Sequence, residues 1–189
     1  LSLRLGQTDL FVGGRYRVLS VETEFGDGSG GIDVDAGIGD SRTGGFALTA
    51  GYDSRDNIFT PNCGLKAEAA FWTYDEWLGG ESAYHKVESY VFAYLPVHRR
   101  VVLGLRLEER STWGDVPFYD LPFVVLRGVP TFRYVGEHVA TAEAEVRWDV
   151  TARWSAVAFG GAGATATQIE DLGGRLVQLD DVDFRQNVV

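Results

Sequence analysis

Residues Val101 to Arg110 read VVLGLRLEER, a segment in which apolar and polar positions alternate. Successive side chains of an extended strand point to opposite faces of a sheet. One face of this segment is therefore apolar, and the other carries charges of both signs at Arg106, Glu108 and Arg110. A face of this kind predicts a water-filled interior crossed by ion pairs, with the apolar side chains turned the other way.

The alternation extends to both sides of this segment, and no helical period of any length interrupts it. The sequence predicts the tail of a strand at Leu1–Leu5, followed by about eight strands of roughly 10 to 14 residues each. The predicted strands are Leu10–Phe25, Thr43–Asp53, Leu65–Tyr74, Tyr84–Pro96, Val101–Arg110, Thr141–Val150, Arg153–Ala166 and Gly174–Phe184.

The connections between these segments are alternately short and long. An all-β chain with this pattern is typical of an antiparallel up-and-down transmembrane β-barrel, and we treat residues 1–189 as a single domain. The short turns are expected on the periplasmic side, near Thr8, His98 and Thr151. The long loops are expected on the outside, near Gly26, Asp75, Ser111 and Thr167.

Aromatic residues near the predicted strand ends fit the girdles that barrels place at the two membrane interfaces. Examples are Phe25, Tyr74, Tyr94 and Trp148. The alternative architecture is a soluble, lipocalin-like barrel, whose apolar face would surround a ligand.

The composition bears on several classes of protein. With 189 residues, a formal net charge of −10 and a pI near 4.7, the chain is unsuited to binding nucleic-acid phosphates. It has no run of the roughly 20 apolar residues that a membrane helix needs, whereas a spanning strand needs only about 10. The single cysteine, Cys63, cannot form an internal disulfide. Because the chain begins at Leu1 and contains no Met, we expect a fragment or a processed chain.

The segment from Gly26 to Arg42 is rich in glycine and aspartate. It is not followed by the lysine and helix that a phosphate-binding loop requires. Asp33, Asp35 and Asp40 offer carboxylates to a calcium ion, but their spacing is not that of an EF-hand. We therefore interpret this segment as a solvated, flexible loop.

Residues Asp53 to Gly64, DSRDNIFTPNCG, are dense in turn-forming residues, including Pro61. Asp53 and Asp56 bracket Arg55, which leaves two interpretations. The carboxylates could be catalytic, or the charges could neutralise one another within an ionic turn. The ionic turn is the more common arrangement and is favoured.

The longest predicted loop runs from Ser111 to Tyr134 and carries Leu126, Arg127 and Gly128 between two hydrophobic flanks. An arginine held among apolar residues favours a bidentate contact with a buried or lumenal carboxylate. Gly128 allows a tight turn or a close approach to another wall. The alternative is a surface loop with an exposed arginine.

The sequence does not predict an enzyme or a cofactor site. It has no Gly-x-Ser-x-Gly elbow, and His85, His98 and His138 lie on three different elements, which also disfavours a metal site. Glu108–Glu109 and Glu143/Glu145 could act as acid and base, but charged lumenal faces commonly supply such pairs.

Three segments resemble the barrel domain of bacterial surface antigens, the family of the BamA and TamA insertases and the FhaC-type two-partner secretion transporters. GYDSRDNIFTPNCGLKAEAAF, at 51–71, resembles the family's aspartate-arginine-aspartate turn and the strand after it. VPFYDLPFVVLRGVPTFRY, at 116–134, resembles the extracellular loop whose arginine-glycine motif folds into the lumen, and TAEAEVRW, at 141–148, resembles the strand that follows. The resemblance covers about Thr43 to Gly163.

This resemblance implies part of a larger, 16-stranded barrel in the bacterial outer membrane, which assembles, inserts or translocates other proteins. Its partners would be outer-membrane lipid and unfolded outer-membrane or secreted clients. Arg127 would be the lumenal arginine, with the lumenal partner residues Glu143, Glu145 and Arg147. The sequence departs from the family at Gly160-Gly161-Ala162, where an aspartate is frequent, and at Val129, where the family has an aromatic residue. A passive outer-membrane channel or surface antigen is the alternative function.

Overall fold

The computed structural model describes residues 2–6, 8–21, 41–170 and 176–178, with backbone alone at 168–170 and 176–178. Eight strands follow one another in a single sheet, and every neighbouring pair is antiparallel. Their bounds are β1 Ser2–Arg4, β2 Leu10–Val21, β3 Ser41–Asp53, β4 Gly64–Tyr74, β5 Tyr84–His98, β6 Val101–Gly114, β7 His138–Asp149 and β8 Ser155–Ala166. The predicted all-β, up-and-down order is confirmed.

A separate two-stranded sheet pairs β9 (Gln168–Glu170) with β10 (Leu176–Gln178). Of the predicted strand Gly174–Phe184, only β10 lies in the described residues. The end of the predicted strand Leu10–Phe25, beyond Val21, lies outside them. So do Asp33, Asp35 and Asp40, which were considered as calcium ligands and interpreted as part of a solvated loop, together with nearly all of that loop.

Several predicted boundaries are wrong; β5 ends at His98 and not at Pro96, β7 begins at His138 and not at Thr141, and β8 begins at Ser155 and not at Arg153. β3 begins at Ser41, so Arg42 is in a strand and not in the glycine-rich loop. β6 continues past Arg110 to Gly114, because Ser111 to Gly114 pair with Tyr84 to Val87 of β5. The strand ends at Gly114, whose φ of 99° is in the left-handed region, and the long loop therefore spans 115–137.

The sheet has two faces of opposite character. We call the face covered by loop 115–137 the inner face, and Arg106 and Glu143 lie opposite each other on it. The other, outer face carries large apolar side chains that remain exposed in this chain, among them Leu48 (63%), Leu107 (55%) and Trp148 (52%). In an ordinary soluble protein the covered face of a sheet is apolar and the exposed face is polar. Here the covered face carries the charges and the exposed face carries the large apolar side chains.

The small core lies on the inner face, between the sheet and loop 115–137. Tyr74 and Tyr84 stack with their ring centroids 4.2 Å apart, and Tyr74 also packs against Gly45, where a Cβ would lie 2.4 Å from the ring. Ala47, Ala70 and Trp72 complete this buried cluster. Val116, from the first residues of the loop, packs against it.

The sheet is open, since β1 and β8 are its two ends in the described part of the chain and do not pair with each other. The described helical segments are two single 3₁₀ turns, Glu76–Leu78 and Phe118–Asp120. Among the described ranges, no helix combines the length and apolar character needed to cross a membrane.

Candidate functional site on the inner face

A chain of six alternating charges crosses the inner face from β6 to loop 115–137. It runs through Arg110, Glu108, Arg106, Glu143, Arg127 and Glu145. Arg106 donates to Glu108 through Nε (2.8 Å) and Nη2 (2.6 Å), and its Nη1 donates to Glu143 Oε2 at 2.8 Å. The three arginines and three glutamates neutralise one another within the network.

Arg127 is the member of this network that belongs to the loop. Its Nε donates to Glu143 Oε1 at 2.9 Å, and its Nη1 donates to Glu145 Oε2 at 2.7 Å. The hydrogen bond to Glu143, together with that to Glu145, raises the pKa of the Arg127 guanidinium above its ordinary value. Glu143 is buried and is shared between Arg106 and Arg127, so it joins the loop to the sheet.

An aromatic ring from β8 completes the environment of this arginine. The Arg127 Cζ lies 3.9 Å from the centroid of the Phe159 ring, a close cation–π contact. Phe159 was not predicted from the sequence, although its place in β8, opposite Glu145 in the register, puts it on the inner face.

Two glycines of β8 provide the surface on which the loop rests. A Cβ at Gly161 would lie 2.7 Å from Glu143 Cγ and 3.0 Å from Leu126 Cδ2. A Cβ at Gly163 would lie 3.0 Å from Val124 Cγ1. Side chains at these positions would collide with the apolar flank of the arginine motif, so the glycines let the loop approach the sheet closely.

The loop also has internal structure near its arginine motif. Phe123 and Val135 form an isolated antiparallel bridge, and Val124 N donates to Tyr134 O at 2.9 Å. Gly128 lies at the tip with a φ of 85°, in the left-handed region that favours glycine. The tip is thus a short hairpin that presents Arg127 to β7.

A second ionic contact holds the loop near its start. Asp120 Oδ2 accepts a hydrogen bond from the Tyr84 hydroxyl at 2.7 Å, and Oδ1 accepts one from Lys86 Nζ at 3.0 Å. Arg17 of β2 adds a longer contact at 3.3 Å. The side chains of Asp120 and Lys86 are only 12% and 8% exposed, so this charge pair is largely removed from water.

Asp120 and its partners were not predicted from the sequence. Arg17, Tyr84 and Lys86 lie on the inner face by the alternation of their own strands, which was visible in the sequence. Their distances from Asp120 along the chain, 103, 36 and 34 residues, give no local signal that they would converge on it.

Most polar contacts of the predicted turn motif are made within the motif itself. Asp53 accepts a bidentate contact from Arg55, with Oδ1 to Nε at 2.8 Å and Oδ2 to Nη2 at 2.7 Å. Asp56 does not join them. It accepts instead from the backbone N–H of Asn62 (2.9 Å) and Cys63 (3.2 Å), and these bonds lower the pKa of its carboxyl.

Gly64 ends this turn with a φ of 109°, and a Cβ there would lie 2.4 Å from the Ser54 carbonyl oxygen. Pro61 is buried. Its carbonyl oxygen accepts a hydrogen bond from Arg147 Nη1 of β7 at 3.4 Å. The residues of the turn motif therefore close the β3–β4 connection and place it against β7.

Arg147 is therefore located differently from Glu143 and Glu145. It shares their face of β7 but extends to the turn at residues 54–63, where it contacts Pro61 and Asn62. The inner face is thus approached by loop 115–137 at one end of the strands and by the β3–β4 turn at the other.

The two adjacent glutamates of β6 lie on opposite faces of the sheet. Glu108 faces inward, whereas Glu109 lies on the outer face against Ser89 and Ser111. Among the residues that the structure describes, no group of three His, Cys, Asp or Glu side chains is arranged to hold a metal ion. The charges of the inner face are matched to one another, an arrangement suited to fixing a loop in position.

A comparison with protein-family models finds no match to this chain, and a comparison with curated proteins finds none either.

Proposed function

We propose that this chain forms part of a larger outer-membrane β-barrel of the surface-antigen kind, which acts in the insertion or translocation of other proteins. The observation that carries the proposal is the inverted sheet. Its outer face exposes large apolar side chains, and its inner face holds a neutralised ionic network beneath a folded-in loop.

Strand length is consistent with this proposal. A spanning strand needs about 9 to 11 tilted residues, and β2 to β8 each have between 11 and 15. The alternation of apolar and polar side chains along them has the period of a barrel wall. A soluble, lipocalin-like barrel is disfavoured, because its ligand-binding interior would be apolar and the inner face here is charged.

The position of loop 115–137 supports the functional part of the proposal. The loop reaches β7 through Arg127 and reaches β2 and β5 through Asp120, so it covers much of the inner face. In this proposal the loop braces the lumen while client strands enter at a seam between barrel strands. The chemistry is non-covalent.

The complete protein containing this chain can be tested by cell fractionation and by electrophoresis of unboiled samples. We expect it in the outer membrane, with a faster-migrating band before boiling that marks a folded barrel. Depletion of the protein should lower the amount of other folded outer-membrane or secreted proteins. A product found in the soluble fraction would contradict the membrane assignment, and unchanged client levels would favour a passive channel or surface antigen.

A further inference from the structure

An acidic side chain interrupts the apolar outer face. Glu109 lies opposite Ser89 of β5 and Ala140 of β7 in the register. Its Oε2 accepts a hydrogen bond from Ser89 Oγ at 3.2 Å, and its Oε1 accepts one from Ser111 Oγ. A carboxylate offers about four acceptor sites, so these two bonds leave capacity for a further donor.

The Glu109 carboxylate borders a groove of about 570 Å³. Val91 and Leu107 flank the groove with larger apolar side chains. Four alanines of β7 and β8 that pair across the two strands also line it, namely Ala140, Ala142, Ala162 and Ala164. Tyr90, Glu108, Thr141 and Gly163 contribute to the lining as well, but they occupy positions that belong to the inner face in the register. The side chains of the outer face thus give the groove an apolar surface with one carboxylate, that of Glu109, at its edge.

A carboxylate on a lipid-facing surface is unfavourable unless a cation or hydrogen-bond donors compensate for its desolvation. A second copy of this chain fits the groove poorly. Two copies inserted in the same direction would place Glu109 at the same depth, so carboxylate would face carboxylate. A hydrocarbon chain that ends in a cation would complement both the alanines of the groove and the negative charge of Glu109.

Glu109 is displaced from the middle of β6 toward the loop end. The residue lies five positions from Gly114, at the loop end of the strand, and eight positions from Val101, at the turn end. The displacement from the middle of the strand is about 5 Å. Ser89 and Ser111 already provide hydroxyl donors, so a primary ammonium, with three N–H donors, fits the remaining acceptor sites.

We propose that the groove around Glu109 binds a membrane lipid whose headgroup ends in a primary ammonium, with an acyl chain along the alanines of β7 and β8. This inference rests on the proposed membrane location. It adds a lipid-binding site on the outer face, separate from the loop contacts on the inner face.

The complete protein containing this chain can be reconstituted into vesicles containing equal amounts of phosphatidylethanolamine and phosphatidylcholine, floated on a density gradient and released from detergent for native mass spectrometry. These probes share a phosphate and differ in the ammonium, because the choline group has no N–H to donate. We expect the chain to retain phosphatidylethanolamine about fivefold over phosphatidylcholine, as a single ion pair of modest strength would give.

Two variants and one control sharpen this experiment. Glu109→Gln keeps the size of the side chain and removes its charge, and Ala162→Leu fills the groove without touching the carboxylate. Both should abolish the preference. Glu76→Gln removes the same charge from the exposed 3₁₀ turn and should preserve it.

The outcomes separate this inference from the proposed function. A chain that floats with the vesicles but retains both lipids equally, or one whose preference survives in Glu109→Gln, overturns the lipid site and leaves a cationic protein segment as the remaining partner. A chain that fails to float overturns the membrane location, and the lipid site with it.

Discussion

Loop 115–137 and the β3–β4 turn at 54–63 lie at opposite ends of the strands and are held in opposite ways. The turn takes its main polar contacts from within, through Asp53 with Arg55 and through Asp56 with the backbone at 62 and 63. The loop takes its contacts from distant strands, through Asp120 and Arg127.

The turn is therefore stabilised mainly by its own contacts, whereas the position of the loop depends on the strands that it contacts. The turn would keep most of its hydrogen bonds if the rest of the sheet moved. The loop would lose its Asp120 contacts with Tyr84 and Lys86 if β5 shifted, and its Arg127 contacts if β7 shifted, so its position depends on several strands of the sheet. Substitutions in the two regions should therefore have different consequences.

The largest effect is expected from Asp120→Ala. The change leaves Lys86, which is 8% exposed, with Glu88 (3.2 Å) as its remaining carboxylate partner, and it deprives Tyr84 of its acceptor. Breaking a buried pair by removing one partner costs about 3–5 kcal/mol when the other charge is left uncompensated; because Glu88 partly compensates Lys86, we expect a loss of about 3 kcal/mol in the free energy of unfolding. Urea unfolding of the full chain, followed by tryptophan fluorescence, measures this loss.

Asp115→Ala is the matched control, since it removes a carboxylate from an exposed position of the same loop. It should change stability by less than about 0.5 kcal/mol. Equal effects of the two substitutions would show that Asp120 does not anchor the loop.

The next largest effect is expected in the turn, from Gly64→Ala. The added Cβ would combine a left-handed backbone with a contact of 2.4 Å to the Ser54 carbonyl oxygen, which the turn can relieve only by shifting its backbone. We expect a loss of about 2–3 kcal/mol in the same urea experiment.

Gly128→Ala tests the same backbone conformation at the loop tip. This residue also has a positive φ, 85°, but a Cβ there would have no atom within 4 Å. It should cost about 1 kcal/mol, the strain of the left-handed conformation alone. A larger loss at Gly128 than at Gly64 would contradict the described geometry.

Arg127→Ala should have a smaller effect than Asp120→Ala on the free energy of unfolding. The arginine is 43% exposed at its side chain, and Glu143 retains its bond to Arg106 when Arg127 is removed. We expect a loss of about 1–2 kcal/mol. Arg127→Lys keeps the charge but not the planar fork, so it should recover only part of the loss.

Limited proteolysis at 126–134 gives a second readout for Arg127. Cleavage should accelerate in Arg127→Ala, because the tip is released from β7, and should remain slow in Arg133→Ala, a neighbouring arginine of the same tip. Unchanged proteolysis in Arg127→Ala would show that Leu126 and Val124, packed against the glycines of β8, hold the tip without the ion pairs.

The smallest effect is expected from the pH dependence of Asp56. Its pKa is lower in the folded chain than the ordinary value of 3.8, because the backbone N–H groups of Asn62 and Cys63 donate to the carboxylate. The resulting stabilisation is present above that ordinary value and is lost as the pH falls through the lower, folded pKa. Asp56→Asn should flatten the dependence of stability on pH below about 4. If this slope of stability against pH persists unchanged in the variant, it arises from other carboxylates.

Local patterns in the sequence predicted much of the fold. Alternation along β6 and β7 gave the two faces of the sheet, and the density of turn formers located the β3–β4 connection. The extension of β6 to Gly114 was missed, because the pairing of Ser111 to Gly114 with β5 depends on a partner strand rather than on alternation.

The site was predictable only where its contacts followed a motif. Arg127 with Glu143 and Glu145 came from the resemblance of the loop and the following strand. Asp120 and Phe159 were missed, since their contacts join residues far apart in the chain and depend on how the loop folds over the sheet. Contacts between residues so far apart in the chain leave no periodic pattern in the local sequence from which they could be predicted.

The central claim is that the outer face meets lipid and the inner face meets water and the loop. Leu48 and Thr49 are neighbours on β3 that face opposite sides of the sheet. Each can carry a spin label in turn through a cysteine, once the chain's one cysteine, Cys63, is replaced by serine. Electron paramagnetic resonance of the full chain in vesicles then measures the accessibility of each label to oxygen, which concentrates in lipid, and to a water-soluble nickel complex. We predict that oxygen dominates at position 48 and that it is much weaker relative to nickel at position 49. Nickel access at position 48 equal to that at position 49 would contradict the account.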